Sequence, residues 1–212
     1  MKTSMALKTL LGAASLALPL MALAESNVQT GAGPLTTTAH VDFSIVIPKI
    51  LYLRVGTGST YTTGALTSNP GVDLITFSPT AAQLGNGTAI AGVGGDLTGG
   101  VETAAIVSNS GSVTLNATAA AGGINDGVAG DTIPFTQITT ASATLTSATA
   151  LPFPTLVNGV SGNQVIPAPA AKIIVQDAKW TFSYANAAVV PAGTYGGVNV
   201  NGGRVVYTAT MP

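Results

Sequence analysis

The sequence predicts an all-β protein built as a β-sandwich, and three observations carry that prediction. Short runs of β-branched and aromatic residues recur between Gly, Asn, Asp and Pro punctuation, as strands joined by turns do. Several of these runs alternate apolar and polar residues, the period of a strand with one covered face. Beyond residue 24 no stretch carries the 3.6-residue stripe of an amphipathic helix, and strands without intervening helices favour packed sheets.

Residues 1–24 stand apart. MKTSMALKTLLGAASLALPLMALA opens with Lys2 and Lys8, continues with an apolar run from Leu10 to Leu18, and ends in Ala22-Leu23-Ala24. That is the order of a secretory signal, with a mature chain expected to begin at Glu25. Its apolar part is too short, and too well ended by Pro19, for a lasting membrane span.

Residues 25–47 read as an N-terminal extension and 48–212 as one domain. After a polar lead, Val41, Phe43, Ile45 and Ile47 alternate with polar or smaller neighbours, and beyond Pro48 come Leu51, Leu53 and Val55. Val72–Phe77 is a strand candidate ended by Ser78-Pro79. Thr103–Val107 and Ser112–Thr118 flank Asn109-Ser110-Gly111, which predicts a hairpin. Ile133–Ile138 and Ser142–Thr146 follow as short extended runs. Pro152, Pro154, Pro167 and Pro169 make 151–171 an edge or a long connection. Lys172–Val175 reads as one strand. Trp180, Phe182 and Tyr184 then place an aromatic face toward a core, and Val205, Tyr207, Ala209 and Met211 share one face of the last strand.

Composition narrows the function. Only 7% of the 212 residues are charged, against about 25% in an ordinary soluble domain. Two of the seven Lys and Arg lie in 1–24, so the remainder is mildly acidic and offers no phosphate-tracking patch. With no Cys, disulfides, thiol nucleophiles and cysteine zinc sites are excluded. His40 is the one histidine, and no Gly-x-Ser-x-Gly elbow accompanies it. Asn125, Asp126 and Asp131 surround Gly127, but without the ligand spacing of a calcium loop they read as a turn. No cofactor, metal or enzymatic activity is expected.

The two ends of the domain together resemble a bacterial fimbrial subunit, a pilin of the chaperone–usher type and its archaic branch. VDFSIVI, Val41–Ile47, is similar to the N-terminal strand of that family. AGTY, Ala192–Tyr195, and GRVVYTATMP, Gly203–Pro212, are similar to its C-terminal strands. The resemblance implies an immunoglobulin-like sandwich missing one strand. It implies that Val41, Phe43, Ile45 and Ile47 form a donor strand, and that Val205, Tyr207, Ala209 and Met211 border the groove which receives it. The implied partners are other copies of the chain, a periplasmic chaperone and an outer-membrane usher. The implied location is the periplasm and then the cell surface. A secreted monomeric sandwich that binds a ligand, with Val41–Ile47 as its own first strand, is the alternative.

Overall fold

In a computed structural model of the chain, residues 25–57 and 66–212 are described; the signal expected at 1–24 lies outside them. The chain divides into two units, residues 1–47 and 48–212.

In the first unit, residues 25–47 are exposed throughout and none is in a strand or helix. The Thr37 hydroxyl donates to the Asn27 carbonyl at 3.0 Å. His40 Nδ1 lies 2.7 Å from Glu25 Oε2. The alternation at Val41–Ile47 has therefore not produced a strand, because a strand needs a neighbour to satisfy its backbone and cover its apolar side.

The second unit is all-β with several sheets. Its strands are β1 (Leu51–Val55), β2 (Ile75–Thr76), β3 (Ile90–Ala91), β4 (Val93–Gly94), β5 (Val101–Ser108), β6 (Val113–Thr118), β7 (Ile124–Asn125), β8 (Thr132–Ile133), β9 (Ile138–Ala143), β10 (Gln164–Ile166), β11 (Ile174–Tyr184) and β12 (Val206–Thr210). The larger sheet runs β1-β5-β11-β3, with β9 also paired to β11; the second runs β10-β6-β12. β2–β4 and β7–β8 are two-stranded pairs, and every pairing is antiparallel. The helical content of the described residues is one 3₁₀ turn, Phe135–Gln137. No described helix is long and apolar enough to cross a membrane.

The two larger sheets share one core, an arrangement compatible with a β-sandwich. β11 gives Ala178, Trp180 and Phe182 to it, β5 gives Ala104 and Ile106, and β6 gives Val113, Leu115 and Ala117. The two-residue period of a strand is what points these side chains to one face. Trp180 is fully buried, and its indole N–H donates to the Leu151 carbonyl at 2.9 Å, so burying the ring leaves no orphan donor. Beside it on the same strand, Asp177 staples the connection that follows β9. Its carboxylate accepts the Thr146 and Ser147 backbone N–H groups at 2.9 and 2.8 Å, and both hydroxyls as well. Burial alone would raise its pKa, but these donors hold it well below the usual carboxylate range.

Several expectations change. The predicted hairpin around Asn109-Ser110-Gly111 is not one: β5 pairs with β1 and β11, β6 with β10 and β12, so residues 109–112 cross between sheets. The runs at Lys172–Val175 and Trp180–Tyr184 are parts of one eleven-residue strand beginning at Ile174. Val72–Phe77 supplies only the two residues of β2. Within Ile133–Ile138 the chain turns through the 3₁₀ segment instead of running straight.

Candidate functional site

One open cleft of the second unit lies where its two larger sheets end. β1 is the terminal strand of one sheet and β12 the terminal strand of the other. Between them runs a cleft of about 540 Å³, walled by Leu51–Val55 on one side and Arg204–Tyr207 on the other, with residues from 67 to 72 as a third wall.

The cleft is apolar inside because of strand parity. On β1, Leu51, Leu53 and Val55 turn toward the core; on the last strand, Val205, Tyr207, Ala209 and Met211 do. All seven are only half-buried, whereas Ile106, Val113, Leu115 and Trp180 on the strands behind them are fully buried. The Tyr207 ring lies 5.3 Å from that of Trp180, so this half-covered layer rests directly on the finished core. Burial, and then the charge of Glu102, push the Tyr207 hydroxyl above the usual phenol range. Among the described residues β12 pairs with β6 along one side only, a sheet edge able to take another strand.

One end of the cleft is polar. Arg54 on β1 forms an ion pair with Asp96 at 2.9 Å, and its Nε donates to the Gly56 carbonyl at 2.8 Å. Asp96 in turn accepts the Thr103 N–H at 2.7 Å. Asp73 accepts the Thr57 N–H and, at 2.8 Å, the Thr57 hydroxyl. Gly56 sits at φ 85°, and a β-carbon there would fall 2.4 Å from Asp73 Oδ2 and 2.8 Å from Glu102 Oε2; two carboxyl groups thus converge under a residue that has to be glycine. Burial pushes the Glu102 carboxyl up to about 7; Asp73 and Asp96 reinforce this, against the Asp96 N–H it accepts. Burial would also raise Asp73, but the Thr57 donors, Glu102 and Arg54 together hold it below the usual carboxylate range. At the same end Arg204 Nε is buried without a hydrogen-bond partner among the described residues.

The sequence-predicted residues fall in two places. Val205, Tyr207, Ala209 and Met211 are brought together on the cleft's β12 side, with Val205 and Tyr207 in its wall. Val41, Phe43, Ile45 and Ile47 belong to the first unit and are 72%, 87%, 85% and 75% exposed. Missed from sequence were β1 as the opposite wall and the cluster of Arg54, Asp73, Asp96 and Glu102. The break at Pro48, which separates Val41–Ile47 from Leu51–Val55, is the signal that could have found β1.

Little else has the makings of chemistry. His40 faces only Glu25 at the exposed surface. Asn125 and Asp126 spend side-chain oxygens on the Gly127 and Val128 N–H groups, as turn residues do. Among the described residues no cluster of three or more acids or histidines could hold a metal ion. No protein-family model, curated protein or solved structure matches the chain.

Proposed function

We propose that the chain is the structural subunit of an exported surface fibre, polymerising by donor-strand complementation. The observation that carries this is a complementary mismatch within one chain. An apolar cleft between terminal strands is half-covered, and an alternating apolar run is wholly exposed. In this reading the domain is an immunoglobulin-like sandwich lacking one strand. Val41–Ile47 of one copy enters the cleft of the next, with Val41, Phe43, Ile45 and Ile47 directed inward.

Val41–Ile47 is seven residues long, a rise of about 23 Å in extended form, and the half-covered inward face of the last strand continues past the cleft wall at Tyr207 to Ala209 and Met211. Main-chain bonds to β12 supply affinity, and alternate side chains in the cleft set the register. Burying four such side chains contributes about 1.5–3 kcal/mol each before ordering costs, which suits a fibre built without disulfides. Before assembly the open edge is an aggregation hazard. A periplasmic chaperone covering it, and an outer-membrane usher passing subunits on, are the partners this reading calls for. Export then depends on residues 1–24.

Ile45→Asp tests the proposal. It would bury an uncompensated charge against the apolar inner face of the neighbour's cleft, so fibres seen by negative-stain microscopy disappear. The subunit's own urea midpoint stays where it was, because Ile45 is exposed. Parallel loss of subunit stability would mean that the run serves its own fold. A chain that assembles nothing and remains a stable monomer would instead be a secreted binding module.

A further inference from the structure

A chain that carries both a strand and the cleft for it can complete itself, and something must prevent that. The run at Val41–Ile47 joins β1 through only Pro48, Lys49 and Ile50. To lie beside β1 in its own molecule it has two routes. A parallel return needs a crossover of a dozen or more residues, which the chain does not have here. An antiparallel return is a hairpin, and it must turn within residues 48–50.

Those three residues are held against turning. The Ile50 N–H donates to Asn109 Oδ1 at 2.8 Å, and Asn109 Nδ2 donates to the Pro48 carbonyl at 2.8 Å. The Asn109 N–H also donates to the Ile50 carbonyl at 3.4 Å. The β1–β5 register ends at Leu51 opposite Ser108, so Ile50 and Asn109 are the next pair along the ladder. As the backbone leaves for the other sheet, the Asn109 side chain replaces it and carries the extended pairing back to Pro48. Lys49 Nζ is tied to the Pro212 carbonyl at 3.1 Å. The local sequence agrees with the clamp. Pro48 fixes its own φ and biases Ile47 to extended backbone. Neither Lys49 nor β-branched Ile50 favours the left-handed residue that short hairpin loops use.

We propose that Asn109 is a lock against self-completion: by holding Pro48–Ile50 extended it reserves the cleft for Val41–Ile47 of a second copy. Asn109 touches the connection and not the incoming strand, so it is a positioning residue. The proposal rests on the donor-strand reading above, and the test separates the two.

The chain has no cysteine, so a pair introduced at Ser44→Cys and Thr208→Cys reports cleanly. Both positions fall on the outward parity of their segments, near the middle of each. The full chain carrying this pair is refolded, then joined by oxidation or a short bis-maleimide. On denaturing gels it should give a ladder of dimers and higher species. Adding Pro48→Asn, Lys49→Gly and Asn109→Ala supplies a hairpin turn and removes the lock. The product should become a fast-migrating, internally joined monomer whose yield does not depend on concentration. Asn109→Ala alone, which keeps the native connection, should shift the internal-to-intermolecular ratio by about tenfold, as the loss of one or two net hydrogen bonds does. Should the triple substitution fail to fold, this single variant decides. An unchanged ladder in the folded variants overturns the lock and leaves the fibre reading standing. An internal product already present in the otherwise unaltered chain overturns the lock too. Absence of any joined product in any folded variant overturns the fibre reading itself.

Discussion

Trp180–Tyr184 and Val41–Ile47 alternate with the same period and end in opposite surroundings. Trp180, Phe182 and Tyr184 are at most 6% exposed, while Val41, Phe43, Ile45 and Ile47 are at least 72% exposed. The difference lies in their neighbours. β11 is flanked by β5 and β3 on one side and β9 on the other, so its backbone is bonded and its aromatic face covered within the chain. Val41–Ile47 is in no strand. Alternation therefore says that a segment can line a core without saying whose core it is.

Substitutions in the two regions should break in different currencies. The largest effect belongs to Trp180→Ala, which empties the centre of the core and removes one of the two donors to the Leu151 carbonyl, leaving the Ser142 hydroxyl. It should lower unfolding free energy by about 3–5 kcal/mol, measured in urea. Its counterpart Phe43→Ala should leave the subunit's stability within about 0.5 kcal/mol, since the ring is already in water, while cutting fibre yield. A large destabilisation by Phe43→Ala would erase the contrast.

Next comes the Asp177 staple on the closed side. Its folded pKa is depressed, so its contribution is present above the ordinary carboxylate range and lost as pH falls through the depressed value. Asp177→Asn should cost about 2 kcal/mol at neutral pH and flatten the acid limb of a stability–pH curve. Glu102, at the end of the cleft, has the opposite sign. Its pKa is raised from 4.5 to about 7, so stability is greatest below 4.5 and is lost as pH rises through about 7. Glu102→Gln should remove a loss of about 1–2 kcal/mol between those limits. Urea midpoints across that interval check it, and an unchanged slope would show that Glu102 is hydrated where Asp73, Asp96, Arg54 and Tyr207 surround it. Among the substitutions within the folded domain, the smallest effect is expected of Gly111→Ala in the crossover. Its φ of 113° disfavours a side chain, but the space beside it holds nothing nearer than the Pro212 ring at 3.8 Å, so about 1 kcal/mol is expected by thermal melting.

Much of this was legible because burial follows local pattern. The inward faces of Trp180–Tyr184 in β11 and of the last strand were readable from alternation alone, and so was the all-β character of the domain. Pairing was not. Asn109-Ser110-Gly111 has the composition of a hairpin turn, yet the chain uses it to change sheets. Which strand β5 accepts depends on long-range packing that no local window holds, and the Asn109 side chain is committed to Pro48 and Ile50. The polar end of the cleft was hidden for the same reason. Arg54, Asp73, Asp96 and Glu102 are spread over nearly fifty residues and meet only where β1 ends against the start of β5. Of the cleft itself, the inward parity of the last strand was legible, whereas Leu51–Val55, though set off by Pro48, could not be placed opposite it, because that juxtaposition comes from the packing of two sheets.

The lone Trp180 gives the molecule a built-in optical gauge. It is fully buried, and the ring 5.3 Å away, Tyr207, stands in the wall of the cleft. Whatever settles against Tyr207 alters the polarity and the quenching around the one indole in the chain. Cleft filling can thus be followed in real time by ultraviolet emission, without a dye, in the same cuvette that records light scattering.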